Sequence, residues 1–495
     1  PRTDGGGERC RAGADGRAGA GVRRRRHPAR TAHRGGVVGG SGTMAHVRPA
    51  AAPRTRGAGR ASAPETAEDC GAVKVLISGG GPAGATAAYW LASQGIRVTV
   101  LEKTAYPREK VCGDGLTPRA VKQMRLMGLP HGAEQGYRSN RGLRLVAGGR
   151  TVEFPWPQLT DFPSYGLVRT RAGFDEDLAR HAQQAGAEII EHRSVQDVLR
   201  DDTGRIVGLR AAVMDPGTGR RTTQTEDHHA DLVLAADGNS TRTAVAAGLH
   251  RRQDRPMGVA VRTYYRSPRS ELDWMEGWLE LADGNDPHGA LLPGYGWVFG
   301  VGDGTANVGL GILDTSPAFG KLDYRAVLRD WAASMPAEWT FDPEHQVGRI
   351  GSAALPMAAN RTPHYLPGLM LLGDAAGLVS PFNGEGISNA MESALFAASC
   401  IVDAAGANGA QQRENALARY PELVRAEWGA HFTQGRTLAQ LIGHPAILSA
   451  AVRSGMHVPA LMRFAVQVMT ELSDRPARSV TDRAIAVLDA LTPAG

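Results

Sequence analysis

The segment VKVLISGGGPAGATAAYWLASQGIRVTVLEK, residues 73 to 103, constrains this chain more than any other stretch. Val73 to Ile77 is a short apolar run of the kind that forms a buried parallel strand. Gly79, Gly81 and Gly84 follow in the spacing G-x-G-x-x-G, and Ala85 lies in an alanine-rich stretch, Ala83 to Gln94, that predicts a helix stopped by Gly95. A second strand, Arg97 to Leu101, ends at Glu102. Glycines at these places let the backbone turn tightly and approach a pyrophosphate, whose charge rests on the first amides of the helix. An acid about 20 residues further on accepts hydrogen bonds from an adenosine ribose. Strand, turn, helix, strand and Glu102 together predict a dinucleotide-binding unit.

The far end of the chain chooses between flavin and nicotinamide. LPGLMLLGDAAGLVSPFNGEGISNAMESALFAASCIV, residues 366 to 402, is a strand, then Gly373-Asp374, then a Pro/Gly loop opening a long helix. A carboxylate at a strand end followed by such a turn suits ribityl hydroxyls and a second negative group. Two elements of this kind in one chain fit a flavin dinucleotide better than a nicotinamide. The first block resembles the FAD-binding start of the glutathione-reductase-type flavoproteins, and LLGDAA with PFNGEGI is similar to their second FAD motif. That resemblance implies that Asp374 binds the ribityl chain and that Gly386 and Ile387 lie by the isoalloxazine. DLVLAADGNSTRTAV, residues 231 to 245, with Asp237-Gly238 after a strand, resembles the D-G motif of flavin hydroxylases. Ser240 and Arg242 come too early for the full hydroxylase form D-G-x-x-S-x-x-R.

YPREKVCGDGLTPRAV, residues 106 to 121, is a Gly-rich loop after the second strand, with Arg108 and Lys110 available to phosphate or ribose. Its CGDG resembles the geranylgeranyl reductase family, flavoproteins that saturate isoprenoid double bonds, and the resemblance runs from residue 73 to about 400. It implies FAD contacts at Cys112, Gly113, Gly115 and Arg171, with Val195 near the adenine. Phe174, Leu178 and Ala182 follow Arg171 at helical spacing and read as core.

GYGWVFG, residues 294 to 300, stands out because aromatic residues make up only 6% of the chain. Alternation puts Tyr295, Trp297 and Phe299 on one face of a strand. A one-face aromatic row is ordinarily core packing. Archaeal members of the family, however, line the substrate cavity with Y-x-W-x-F-P followed by G-x-G, which here corresponds to Tyr295, Trp297, Phe299, Gly309 and Gly311. Gly300 replaces the Pro, so the turn after the strand lacks a fixed φ. Flavin-dependent halogenases carry a related W-x-W-x-I-P pattern and need a lysine between cofactor and substrate. Lys103, Lys110 and Lys122 stand in no such context.

The expected fold class is α/β, with a Rossmann-type FAD-binding domain (73–140, 165–250 and 365–405) interleaved with an antiparallel-sheet substrate domain (141–164 and 251–364). A C-terminal helical region, 406–495, has apolar residues at helical spacing around Leu438, Leu441, Ile442, Ile447 and Leu448, broken at Pro445 and Pro459. It reads as a cap on the core or as a membrane-facing lid, and Trp428, Phe432, Met456 and Met462 suit either. The net charge of +6 belongs to residues 1–72, which hold fourteen Arg and six acids and read as a disordered tail with almost no large apolar residue to bury. The chain opens on Pro1 and its first methionine is Met44, so residues 1–43 read as upstream translated sequence, a nucleic-acid arm or a targeting peptide. The body is near neutral, and no nucleic-acid partner is expected. Cys10, Cys70, Cys112 and Cys400 show no pairing or metal spacing, which suggests a cytoplasmic setting with at most peripheral contact with the cell membrane.

The function implied is an FAD-dependent reductase saturating a carbon–carbon double bond of a polyprenyl chain, a menaquinone side chain or a geranylgeranyl group. Its external electron donor is NAD(P)H or a reduced carrier. Cys112, Tyr295 and flavin-bound water are the candidate proton donors, Cys112 first by proximity. The alternatives are an FAD-dependent monooxygenase on the same scaffold and a non-catalytic prenyl-binding escort. An escort has no need of Glu102, Asp374 and both glycine sets.

Overall fold

The computed structural model describes residues 73–282, 291–316, 318–455 and 457–494. Residues 1–72, and with them Cys10 and Cys70, lie outside these, as does Met456. Lys74–Ser78 (β1), Pro82–Ser93 (α1) and Arg97–Leu101 (β2) form the predicted βαβ unit. They sit in a six-stranded sheet that continues through Glu188–Ile190 (β8) on one side. On the other side come Leu232–Ala235 (β12), Leu369–Leu371 (β19) and Tyr365–Leu366 (β18). All neighbours are parallel except β18 and β19. β1, β12 and β19 lie beneath helices, so they are continuous apolar runs rather than alternating ones.

A second, seven-stranded sheet has the order β17 (Gln346–Pro356), β13 (Met257–Arg266), β16 (Thr305–Leu313), β15 (Gly294–Gly300), β14 (Met275–Trp278), β5 (Gly142–Ala147), β6 (Arg150–Pro155). Two small sheets flank these: β9 (Arg193–Arg200), β10 (Ile206–Met214) and β11 (Arg221–His229), and β3 (Gly115–Leu116), β7 (Gly166–Val168) and β4 (Arg138–Asn140). The remaining helices with a part below are α2 (Pro118–Met127), α3 (Arg171–Gln184), α4 (Arg242–Ala246), α5 (Tyr324–Ala333) and α6 (Ile387–Ala405). One face of the large sheet buries Val298, Val308 and Leu310 against Val327 and Leu328 of α5, and its other face carries Trp297 and Phe299.

The C-terminal helices are α7 (Ala410–Ala418), α8 (Tyr420–Ile442), α9 (Pro445–Gly455), α10 (Pro459–Met469) and α11 (Val480–Leu491). Pro445 and Pro459 start helices rather than merely interrupting one, since a first-turn residue needs no amide donor. α8 belongs to the main core. Tyr420 and Trp428 are fully buried there, and the Tyr420 hydroxyl donates to the Leu371 carbonyl at 2.7 Å. Among the described residues, no helix is long and apolar enough to cross a membrane.

Gly300 departs from expectation. β15 runs through it, pairing Gly300 with Ala306, and the turn follows at Gly302 and Gly304, both at positive φ. A Cβ on Gly300 would lie 2.5 Å from the Ser270 carbonyl oxygen and 2.7 Å from that of Arg269. The glycine therefore admits a crossing backbone, and the turn lies beyond it.

Candidate active site

The first glycine turn is held from both sides. Gly79 has φ +92°, and a Cβ on it would meet the Ala236 carbonyl oxygen at 2.6 Å. The Gly80 amide donates to Glu102 Oε2 at 2.9 Å, and the Tyr106 hydroxyl donates to the Gly80 carbonyl at 2.6 Å. Gly81 caps α1 without a side-chain cap, and the first turn carries no acid. Its free amides keep the positive end of the helix dipole open. Arg108 lies between Glu102 (3.3 Å) and Asp175 (3.0 Å), its terminal nitrogen 3.5 Å from where a Gly81 Cβ would be.

The second turn repeats this design. Gly373 has φ +51°, Asp374 follows, and Gly386 caps α6, again with no side-chain cap and no acid in the first turn. A Cβ on Gly386 would lie 3.1 Å from Asp374 Oδ1. Both helix starts open on one cavity of about 780 Å³. Gly79, Gly81, Glu102, Arg108, Asp374, Gly386 and Ile387 line it, together with Val195, Asp237 and Arg171. Asp237 Oδ2 accepts from the Thr243 amide and hydroxyl, while its buried Oδ1 has no partner.

The CGDG loop joins this end to the aromatic wall. Cys112 and Gly113 line the cavity, and a Cβ on Gly113 would lie 3.1 Å from the Phe299 ring and 3.4 Å from Trp297 Nε1. Asp114, fully buried at φ +65°, is the hub beneath the loop. Its carboxylate accepts from the Tyr264 hydroxyl (2.6 Å), Asn307 Nδ2 (2.7 Å) and the Arg171 amide (3.1 Å). Burial raises its pKa to about 6 against the opposing pull of Arg262 and these donors. Asn307 also donates to the Cys112 carbonyl (2.9 Å) and accepts from Trp297 Nε1 (2.8 Å). One amide thus ties the loop to the wall. Arg171 clamps Asp175 with two bonds, at 2.8 and 2.9 Å.

In the wall, Tyr295 pairs across the strands with Gly311 and Trp297 with Gly309. Trp297 and Phe299 stack at 6.3 Å between centroids. Tyr295 donates its hydroxyl to the Asn383 carbonyl at 2.6 Å, and burial, with Glu385 and Cys112, raises its pKa so that it remains a phenol.

Four residues that the sequence pattern singles out do not line the cavity: Gly84, Ala85, Gly115 and Gly309. Gly84 lets α1 close on the Gly79 carbonyl, and Ala85 makes an ordinary helical bond to Gly81. Gly115 makes room for Met275 and Phe299, and Gly309 for the Trp297 indole. The site contains groups the sequence reading passed over: Tyr106, Asp114, Asp175, Asn307 and Glu385. Lys110, which the sequence offers to phosphate or ribose together with Arg108, lines the cavity, with burial lowering its pKa and Asp374 opposing. A buried polar residue beside a glycine motif was the available signal for Asp114. None existed for Asn307. Among the described residues, no cluster has the makings of a metal site.

Replacing Gly79 with Val should abolish FAD retention, because the new side chain would have to displace the Ala236 backbone. Flavin absorbance of the purified variant against wild type checks this.

Past the wall the cavity is lined by Leu438 and Ile442 of α8, Leu448 of α9, and Met462 and Met469 of α10. One cavity thus joins a polar end, lined by both glycine turns and their carboxylates, to an aromatic and aliphatic end.

Known proteins show the same combination. The FAD binding domain family matches residues 72–295. The menaquinone reductase of Mycobacterium tuberculosis is 35% identical over 399 residues, covering 80% of this chain and 91% of that protein. The digeranylgeranylglycerophospholipid reductase of Thermoplasma volcanium is 27% identical, over 71% of this chain and 83% of the relative. In structure the chain is similar to a geranylgeranyl bacteriochlorophyll reductase-like protein of Thermoplasma acidophilum, with TM-score 0.65 and 21% identity, over 84% of this chain and 99% of that one. With the loop, the wall and these relatives in agreement, the chain belongs to the geranylgeranyl reductase family of FAD-dependent oxidoreductases, alongside the menaquinone reductases.

Proposed function

We propose that this enzyme saturates a carbon–carbon double bond of a polyprenyl chain, either the side chain of menaquinone or a geranylgeranyl group. The observation that carries the reading is the Asn307 link, which holds the CGDG loop against Trp297 inside the cavity that both glycine turns share. The residues present fit FAD. Two uncapped helix starts, glycines whose Cβ atoms would fill the cradle, and carboxylates at Glu102 and Asp374 suit a pyrophosphate flanked by ribose and ribityl hydroxyls. Bound in its reduced form, FAD would supply the hydride.

The protein's part is placement and proton supply. Glu102 and the α1 amides would hold the adenosine diphosphate end, with Arg108 adding positive charge. Asp374 and the α6 amides would hold the ribityl and flavin end. Trp297, Phe299 and Tyr295 press a flexible chain flat, and Gly311 opposite Tyr295 leaves room for it. The apolar end of the cavity excludes water, so a poor hydride acceptor meets its donor as a neighbour rather than by collision. Cys112 and Tyr295, which line the cavity, are the candidate proton donors, with flavin-bound water as the third.

Exposed Leu441, Ile447, Val458 and Leu461 stand on or between α8, α9 and α10, the helices whose other residues line the cavity. This continuity supports peripheral contact with a lipid surface, from which a prenyl tail would enter. Leu441→Glu with Leu461→Glu should reduce co-sedimentation with liposomes without changing flavin content.

Anaerobic reduction of the purified flavoprotein, followed by added menaquinone and mass spectrometry, tests the main reading. A gain of two hydrogens supports it. A gain of oxygen, in air only, would replace it with a monooxygenase, and a protein unable to take up FAD would leave only the escort.

A further inference from the structure

One group of buried charges has no part in the site described above. Arg119 of α2, with 5% of its side chain exposed, meets three carboxylates: Glu392 of α6 (2.5 Å), Glu427 of α8 (2.5 Å) and Glu471 just after α10 (3.1 Å). His431 of α8 faces Glu471 at 3.2 Å and Ser380 at 3.1 Å. Burial and Arg119 lower its pKa to about 3, so it brings no positive charge. Arg475, half exposed, pairs with Glu427 at 3.3 Å. Lys122 of α2 lies over the Phe162 ring at 4.4 Å and acts on Glu427 from a distance, as Asp489 of α11 acts on Glu471. Glu385, partly buried on the loop before α6 and already placed beside the cavity, adds a further carboxyl.

Carboxylates outnumber the cations in contact with them. A buried excess of negative charge is relieved by taking up protons. Gln123 of α2 points to the same conclusion independently. It is 3% exposed and donates Nε2 to Glu392 Oε1 at 3.1 Å, while its own Oε1 finds no donor. Turning that amide over puts the orphan acceptor on Glu392, which bonds well only if Glu392 carries a proton. Burial raises Glu392 and Glu471 to about 7 against the pull of Arg119. At Glu427 the pull of Arg119 and Arg475 outweighs burial and lowers it.

The cluster reaches toward the cavity through Glu385. That carboxyl accepts from the hydroxyl of Thr117, the residue capping α2, and feels both Arg119 and Glu471. Its chain neighbours Gly384 and Gly386 line the cavity, and Tyr295 bonds to the Asn383 carbonyl in the same loop. On the far side, Glu427 is 15% exposed beside Arg475, which provides a way to solvent.

We propose that the Arg119 cluster is a buried proton store that replaces, through Glu385, the proton Tyr295 gives up during prenyl reduction. This rests on the reductase reading. Saturation adds a hydride to one alkene carbon and a proton to the other. The Tyr295 O–H bond breaks, leaving its electron pair on the phenolate, and the π pair of the alkene forms the new C–H bond. The phenolate takes the Glu385 proton, Glu385 takes one from the cluster, and water past Glu427 restores the cluster. Glu385 and Glu471 act through Tyr295 and are positioning residues.

Infrared difference spectra of the full FAD-loaded chain, taken across about one unit either side of pH 7, read the store without turnover. A protonated carboxyl that titrates in this range and disappears in Glu471→Gln is expected. Its absence in wild type overturns the store. In repeated turnover of menaquinone, Glu385→Gln and Glu471→Gln should each slow the turnovers after the first about 10²-fold, more than the first turnover, with a larger solvent deuterium effect and unchanged substrate affinity. Unchanged rates in both overturn the supply role. Should either variant fail to fold, Glu427→Gln at the cluster's solvent edge replaces it and should slow repeated turnover more than the first. If wild type reduces no menaquinone, the reductase reading and the supply role fall together, while the infrared titration still decides whether the store exists.

Discussion

Trp297→Ala is expected to lower prenyl-reduction kcat/KM by about 10²-fold or more while FAD remains bound, a loss of roughly 3 kcal/mol in transition-state stabilisation. Three consequences of one substitution combine. The indole, 4% exposed, is the middle of the aromatic wall, and its removal opens space in the cavity. Asn307, fully buried, loses the donor to its Oδ1. That same amide positions the Cys112 carbonyl and Asp114, so the loop shifts with the wall. Steady-state assays at matched flavin content measure the effect, with Trp297→Phe as comparison because it keeps a ring but lacks the N–H donor. Unchanged turnover in Trp297→Ala would return the strand to simple core packing. The fold should survive, although removing a buried Trp typically costs about 3–5 kcal/mol.

The largest stability effect is expected at Arg119. Arg119→Met leaves Glu392, Glu427 and Glu471 without their shared cation, and breaking such a buried arrangement costs about 3–5 kcal/mol. Thermal melting at neutral pH should show it. The pH dependence carries the sharper signature. In wild type, Glu392 and Glu471 have folded pKa values of about 7, above the ordinary 4.5. The folded chain therefore binds more protons than the unfolded chain between those values. Their contribution is complete below about 4.5 and is lost as pH rises through about 7. His431, lowered to about 3 from 6.5, has the opposite sign and acts between those values, so it offsets part of the change up to about pH 6.5. Melting temperature should thus fall from about pH 4.5 to 7 and level off above that, and Glu471→Gln should flatten the fall. Arg119→Met should recover stability as pH drops from about 7 to 5, because protonated carboxyls need no guanidinium.

Much of the cofactor end was legible because its determinants are local. Gly79, Gly81 and Glu102 belong to one βαβ unit, where a short turn, a helix start and a strand end have fixed spacings. Gly373, Asp374 and Gly386 repeat this logic over a few residues. The aromatic row was legible as a row, since alternation follows from the pleat. Its meaning was not. Tyr295, Trp297 and Phe299 would alternate identically in an ordinary core strand, and only packing against Gly113 separates the two. Gly309 shows the same limit: motif spacing assigns it to the substrate pocket, whereas register places it under the Trp297 indole. Gly300 reads as a missing proline until the carbonyls of Arg269 and Ser270 are seen crossing it.

The sequence by itself determined the dinucleotide fold, the FAD end of the site and the helical character of the C-terminus, because hydrophobic period, glycine placement and helix starts act over a turn or two of chain. Tertiary structure alone decided the rest. Asp114 meets Asn307 across 193 residues, and Arg119 meets Glu392 and Glu427 across 273 and 308. A hydrogen bond between such groups leaves no periodicity in the chain, since its partners are chosen by where strands and helices pack. GYGWVFG is a strand by its sequence, and it becomes the wall of the cavity only because the CGDG loop, nearly two hundred residues earlier, folds onto it.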